Sequence, residues 1–143
     1  MGNNGQRLNI AQKRLEFAWK CAQKGQEKGK EYTSAVRKMP ALLLNNGLNT
    51  TFAFVYSKGS KKEKTSKSQR EKTKSKENHW DFISKNAQEW LSMEHSPVKS
   101  LFKGDEGLIK VLIDIEHDQQ RYILRELLTL FAAIKRFIPE NEE

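Results

Sequence analysis

From Lys58 to Lys76 the chain carries nineteen consecutive residues with one glycine and no apolar side chain. Such a stretch has no apolar area with which to offset its own ordering entropy, so it is expected to be a disordered Lys/Ser-rich loop outside any core. Contact with a polyanion could still draw it into a transient polar helix. Whatever folds must therefore come from the text on either side, residues 7–57 and 77–138. The whole of 1–143 reads as a single domain, long enough to bury a core without disulfides or a structural metal. A single cysteine, Cys21, allows no internal disulfide and points to a reducing, cytoplasmic setting. The longest apolar run, Leu127 to Ile134 with Thr129 inside it, falls well short of the ~20 residues needed to cross a bilayer, and no secretory or myristoylation pattern is seen at the start. No membrane partner is expected.

Both halves repeat apolar residues at three- and four-residue steps, which places them on helix faces. Leu8, Ala11, Leu15, Ala18 and Ala22 form the core stripe of a first helix, about residues 7 to 28. Ile10, Phe17 and Cys21 make a second, narrower line that either packs under a neighbour or stays exposed. Tyr32, Val36 and Met39 mark a second helix, and Pro40 either kinks it or begins a new turn. Asn45-Asn46-Gly47 is a helix stop, and Leu48 to Tyr56 reads as another short helix, since its strand-like composition finds no second strand to pair with. Beyond the loop, Trp80, Ile83, Ala87, Trp90 and Leu91 form a stripe. Ser96-Pro97 opens a short helix through Phe102. Gly104 ends that helix and Asp105 starts the next, through Leu108, Val111, Leu112 and Ile115. Asp118 caps a long final helix whose face holds Tyr122, Leu124, Leu127, Leu128, Phe131, Ile134 and Ile138. The expected fold is all-α, a compact bundle of about six helices with no sheet.

The net charge of +8 is unevenly placed. Residues 1–57 hold 9 Lys/Arg against 3 acids, 58–76 hold 9 against 2, and 77–143 hold 8 against 13. That asymmetry suits a polyanion-binding side and a side facing solvent or basic neighbours, although a lysine-rich surface also serves simple solubility. At ~100° per residue, Lys13, Lys20, Lys24 and Lys28 gather on one side of the first helix, and Arg121, Arg125 and Arg136 on one side of the last. With Arg37 and Lys38, these are the candidate RNA-binding residues. Catalytic candidates are missing. His79, His95 and His117 lack the i, i+3 or i, i+4 partners of helical metal sites, and His117-Asp118 is a two-residue match to metal phosphohydrolases that chance supplies often. No phosphate loop, nucleophile elbow or CxxC is present. The chain is expected to be non-enzymatic, with no metal and no cofactor.

Tyr32-Thr33-Ser34, then Lys38-Met39-Pro40-Ala41-Leu42-Leu43, then Asn46-Gly47-Leu48 and Ala53-Phe54 follow one another in an order that resembles the small subunit of the Cmr (type III-B) CRISPR effector complex. Tyr122-Ile123-Leu124, Glu126-Leu127-Leu128 and Lys135-Arg136-Phe137 resemble the family's chain end, while Ala132-Ala133-Ile134 stands where a large aromatic is expected. The resemblance implies a helical, non-catalytic protein stacked head to tail with copies of itself, a filament beside the RAMP backbone subunits along guide RNA and target RNA in antiviral defence. Its other partners would be the remaining Cmr subunits, including the large subunit, and cleavage would belong to those. In that reading Pro40, Asn46 and Gly47 shape the backbone, and the basic residues above come from charge and helical phase alone. The alternatives are a stand-alone helical nucleic-acid-binding regulator and, further back, a metal phosphohydrolase.

The composition of residues 58–76 makes a direct prediction. Replacing them by a short Gly/Ser linker should leave the melting temperature nearly unchanged, because each doubling of loop length costs only ~0.6 kcal/mol, while binding to free RNA weakens at low salt. A melting temperature well below the parent's would make the stretch an ordered part of the fold.

Overall fold

The computed structural model describes residues 9–59, 78–94, 96–102 and 107–139. Six α-helices run through them: α1 (Ile10–Gln26), α2 (Lys30–Asn46), α3 (Leu48–Lys58), α4 (His79–Leu91), α5 (Leu108–Asp114) and α6 (His117–Arg136). A 3-10 turn, Lys99–Leu101, lies between α4 and α5, and no strand occurs among the described residues. The all-α bundle expected from periodicity is what the chain forms. Most of the Lys58–Lys76 stretch lies outside the described residues, as do Leu8, His95, Gly104 and Asp105. α1 and α2 both lie along α6, and α4 touches all five other helices.

Local chemistry sets the boundaries. Asn9 begins α1 by accepting the Gln12 N–H at 2.8 Å, and its own N–H donates back to Gln12 Oε1 at 2.9 Å. Pro40 neither ends nor restarts a helix, since α2 continues through it to Asn46. The stop comes at Gly47, whose φ of 86° suits a residue with no Cβ and whose N–H donates to the Leu43 carbonyl at 3.0 Å. Ser96 accepts the Val98 N–H at 3.1 Å, as an N-cap does, but the next element is a single 3-10 turn and not the expected helix through Phe102. The start of α6 also differs from expectation. Glu116 holds the cap position, its N–H donating to Gln119 Oε1 at 3.3 Å, and Asp118 sits inside the first turn, where its charge suits the helix dipole.

The helices lock through two buried polar contacts amid an apolar core. Glu126, 6% exposed, accepts from Arg14 Nε at 2.9 Å and from one terminal nitrogen of Arg14 at 2.6 Å, and the Trp90 indole N–H donates to the same carboxylate at 3.1 Å. Three helices, α1, α4 and α6, thus meet at one side chain. The Tyr32 hydroxyl donates to Asn86 Oδ1 at 2.9 Å, joining α2 to α4, with the Tyr32 ring seated on Gly25, where an added Cβ would come within 2.0 Å of a ring carbon. Burial pushes the Tyr32 phenol well above its ordinary pKa. Around these contacts pack Ala18, Ala22, Val36, Ile83, Leu127, Leu130 and Phe131, all buried.

Two expected stripes are rotated in the structure. On α1 the buried face is Ala18, Cys21, Ala22 and Gly25, with Phe17 half-buried against Trp90 at a ring separation of 5.5 Å. Ala11 is exposed and Leu15 is 46% exposed. Small residues let α1 approach its neighbours closely, and the Arg14–Glu126 pair turns Leu15 outward. On α6, Tyr122 is 61% exposed, and the buried positions missing from the expected face are Ile123, Glu126, Leu130 and Ala133.

Both findings can be tested by substitution and by labelling. Glu126→Leu leaves the Arg14 guanidinium and the Trp90 N–H without their acceptor and should cost ~2–4 kcal/mol in urea unfolding, while adding Arg14→Met should recover much of that loss. Parental stability in E126L would show that the contact carries little. Cys21 is buried, and desolvation, reinforced by Glu89 and only partly offset by Lys24, pushes its thiol up to about 12. Alkylation near neutral pH should therefore run at least ~100-fold slower in native protein than in urea. Equal rates would place the thiol at the surface.

Candidate nucleic-acid interface

Lys13, Lys20 and Lys24 occupy one line along α1, as their 100° phasing requires. Lys20 and Lys24 are exposed and Lys13 is half-buried. Among the described residues only Lys20 of the three has a carboxylate near it, Glu16 Oε2 at 3.9 Å, and an exposed pair of that length holds the lysine weakly. Lys28 does not join the line. It lies just past the end of α1, and its ammonium sits 5.2 Å over the Phe82 ring.

Arg121, Arg125 and Arg136 all lie on the exposed face of α6. The first two line a shallow concavity of about 630 Å³ with Tyr122, Leu124 and Leu128. Arg136 edges a separate groove of about 500 Å³ between α6 and α1, walled across from it by Ala11, Arg14 and Leu15. The two basic strips are therefore not one patch. Around the exposed arc of α1, Trp19, 49% exposed, stands between the Leu15 wall of the Arg136 groove and the lysine line.

Arg37 and Lys38 go different ways. The Arg37 guanidinium donates to the Pro139 carbonyl and ties α2 to the end of the described chain. Lys38 is exposed and borders a third concavity, of about 350 Å³, with Lys30, Ser34, His79 and Trp80. Sequence reasoning assigns Trp80 to a core stripe, notes Phe54 only within the Ala53-Phe54 pair of the family resemblance, and does not single out Lys30. In the structure Trp80 is only half-buried, and Phe54 meets its ring edge-on at 5.4 Å and 82°. The available signal is position, since both aromatics flank the apolar-free stretch in the sequence.

Two of the three histidines, His79 and His117, are among the described residues. His79 stacks at a tilt on Trp80, with ring centroids 5.1 Å apart, and its Nδ1 is 4.0 Å from Glu31 Oε1. His117 is exposed at the first position of α6. No group of three His, Cys, Asp or Glu side chains among the described residues is placed to hold a metal ion. No helix among them is long and apolar enough to cross a membrane.

The family model described as CRISPR-associated protein (Cas_Cmr5) matches residues 10–139, a span that takes in all six helices. No curated protein matches the chain significantly.

Proposed function

Because the chain belongs to the CRISPR-associated Cmr5 family, and is thus a small subunit of a Cmr effector complex, we propose that it is a non-catalytic scaffold in cytoplasmic, type III-B antiviral defence. It lies along the guide RNA–target RNA duplex, contacts the RNA backbone, and stacks head to tail with copies of itself beside the other subunits. The observation that carries the RNA contact is the lysine line of α1, exposed at Lys20 and Lys24 and half-buried at Lys13. From Lys13 to Lys24 it spans ~16 Å of helix rise, enough to meet successive phosphates of one strand. Base pairing already reads the target, so a subunit beside the duplex needs charge and shape and no base-edge contacts.

Stacking of copies needs two different surfaces on one body. Exposed apolar side chains occur on separate elements, Leu15 and Trp19 on α1, Tyr56 on α3 and Ile113 on α5. The excess of basic residues in 1–57 and of acidic residues in 77–143 adds charge of opposite sign to the two halves.

Two measurements test the reading. Tagged protein purified from native cells should bring guide RNA and the larger Cmr subunits with it, whereas a stand-alone regulator would come alone. Neutralising Lys13, Lys20 and Lys24 together should flatten the dependence of log K on log salt for RNA by ~2 to 3 units. An unchanged slope would move the backbone contact to Arg121, Arg125 and Arg136 or to a neighbouring subunit.

A further inference from the structure

Trp80 sits in the first turn of α4 and is held from two sides. Phe54 of α3 meets it edge-on at 5.4 Å, and His79 lies against it at 5.1 Å with a tilt of 42°. Its ring is thereby fixed in orientation while it still walls the concavity of about 350 Å³ between α4 and α2. A half-buried indole with a fixed orientation at the edge of an open hollow is a platform for a second flat ring.

The rim selects the charge of the ligand. Lys30, Ser34 and Lys38 succeed one another at four-residue steps along α2 and line the hollow opposite Trp80. On the other edge of the aromatic pair, the Lys58 ammonium lies 5.6 Å over the Phe54 ring. Among the described residues the only acid in the wall is Glu31, and its carboxylate faces His79. Beyond Lys58 the sequence is strongly basic, with 9 Lys/Arg against 2 acids across residues 58–76. The chain then returns beside its exit, where the Asn78 side-chain amide donates to the Lys58 carbonyl at 3.0 Å. Lys30 and Lys38 in its wall, with Lys58 beside the aromatic pair, give the hollow a positive potential that disfavours a cationic peptide.

From this arrangement we infer that the hollow between α2 and α4 binds one unpaired RNA base, stacked on Trp80, with Lys30 and Lys38 neutralising its flanking phosphates. The inference rests on the reading that this chain contacts RNA, and it adds a second mode of contact at a different place. Bases inside a duplex have their faces covered by their neighbours and cannot lie on an indole, so this hollow discriminates unpaired RNA from paired RNA. The lysine line of α1, by contrast, meets phosphates whether or not the bases are paired.

The test uses the full chain with two labelled probes, a short oligouridylate and an RNA duplex of equal length. Trp80→Leu keeps apolar bulk against Phe54 and should weaken oligouridylate binding about tenfold, with duplex binding little changed and Trp80→Phe restoring most of the loss. Parental oligouridylate binding by W80L, or equal weakening toward both probes in a folded variant, overturns the inference. Photocross-linking of parental protein to oligouridylate carrying 4-thiouridine decides the matter if W80L does not fold. Adducts at His79–Trp80 or along Lys30–Lys38 support the hollow, and adducts confined to α1 or α6 overturn it. Failure of the parent to bind the duplex in a salt-dependent way would sink the backbone-contact reading instead, and leave the oligouridylate comparison to decide this one.

Discussion

Glu126 fixes the rotation of three helices at once, and most of the molecule's surface depends on it. A buried carboxylate is costly unless its oxygens are well bonded, and here Arg14 and Trp90 supply the donors from α1 and α4. Arg14 must therefore point at α6. With Arg14 turned inward, the helical repeat carries Leu15 and Trp19 outward and sets the lysine line on the far side of them. The position of a charge in the core thus decides where charge is displayed outside. Phe17 completes the arrangement by packing on the same indole that bonds Glu126.

Fold class and element order are legible in the sequence because helical periodicity is a local property, and so are Gly47, Ile83, Trp90 and Leu127. The phase of α1 and α6 is not. Ala11 and Leu15 lie on as good an apolar stripe as Ala18 and Ala22, and only the distant partner of Arg14, 112 residues away in sequence, settles which part is covered. Tyr122 reads as inward for the same reason, since hydropathy does not distinguish an aromatic at the edge of a groove from one in the core. Caps are harder still, because Glu116 and Asp118 are both acceptable at a helix start and neighbouring structure chooses between them. Of the candidate RNA residues, charge and phase place Lys13, Lys20 and Lys24 together correctly in space. They cannot foresee that Arg37 is committed to Pro139 or that Lys28 lies over Phe82.

The second buried contact divides the work differently. Tyr32 reaches Asn86 only because Gly25 leaves room for its ring, so a glycine on α1, a tyrosine on α2 and an asparagine on α4 are mutually dependent. Neither buried contact involves α3, which packs on α2 and α4, or α5, which packs on α3 and α4. These two are tied in by side-chain to backbone bonds, the Thr51 hydroxyl donating to the Leu42 carbonyl at 2.9 Å and the Leu108 N–H to Gln88 Oε1 at 2.9 Å. The hollow beside Trp80 lies between α2 and α4, and α3 backs it only through the Phe54 ring against Trp80. That placement gives an aromatic surface a firm backing without burying it.

The bond from Asn78 to the Lys58 carbonyl, with Gly59 seated against Asp81, closes the base of the intervening stretch within the folded body. Every contact of α1 and α2 with α6 spans that closure, so the core is shared between the two lengths of chain it separates. In topological terms the protein is a pair of interlocking fragments that happen to be covalently joined. Either fragment made alone would lack half of its core. The two lengths of chain thus leave and re-enter the bundle at neighbouring points, and neither completes the core without the other.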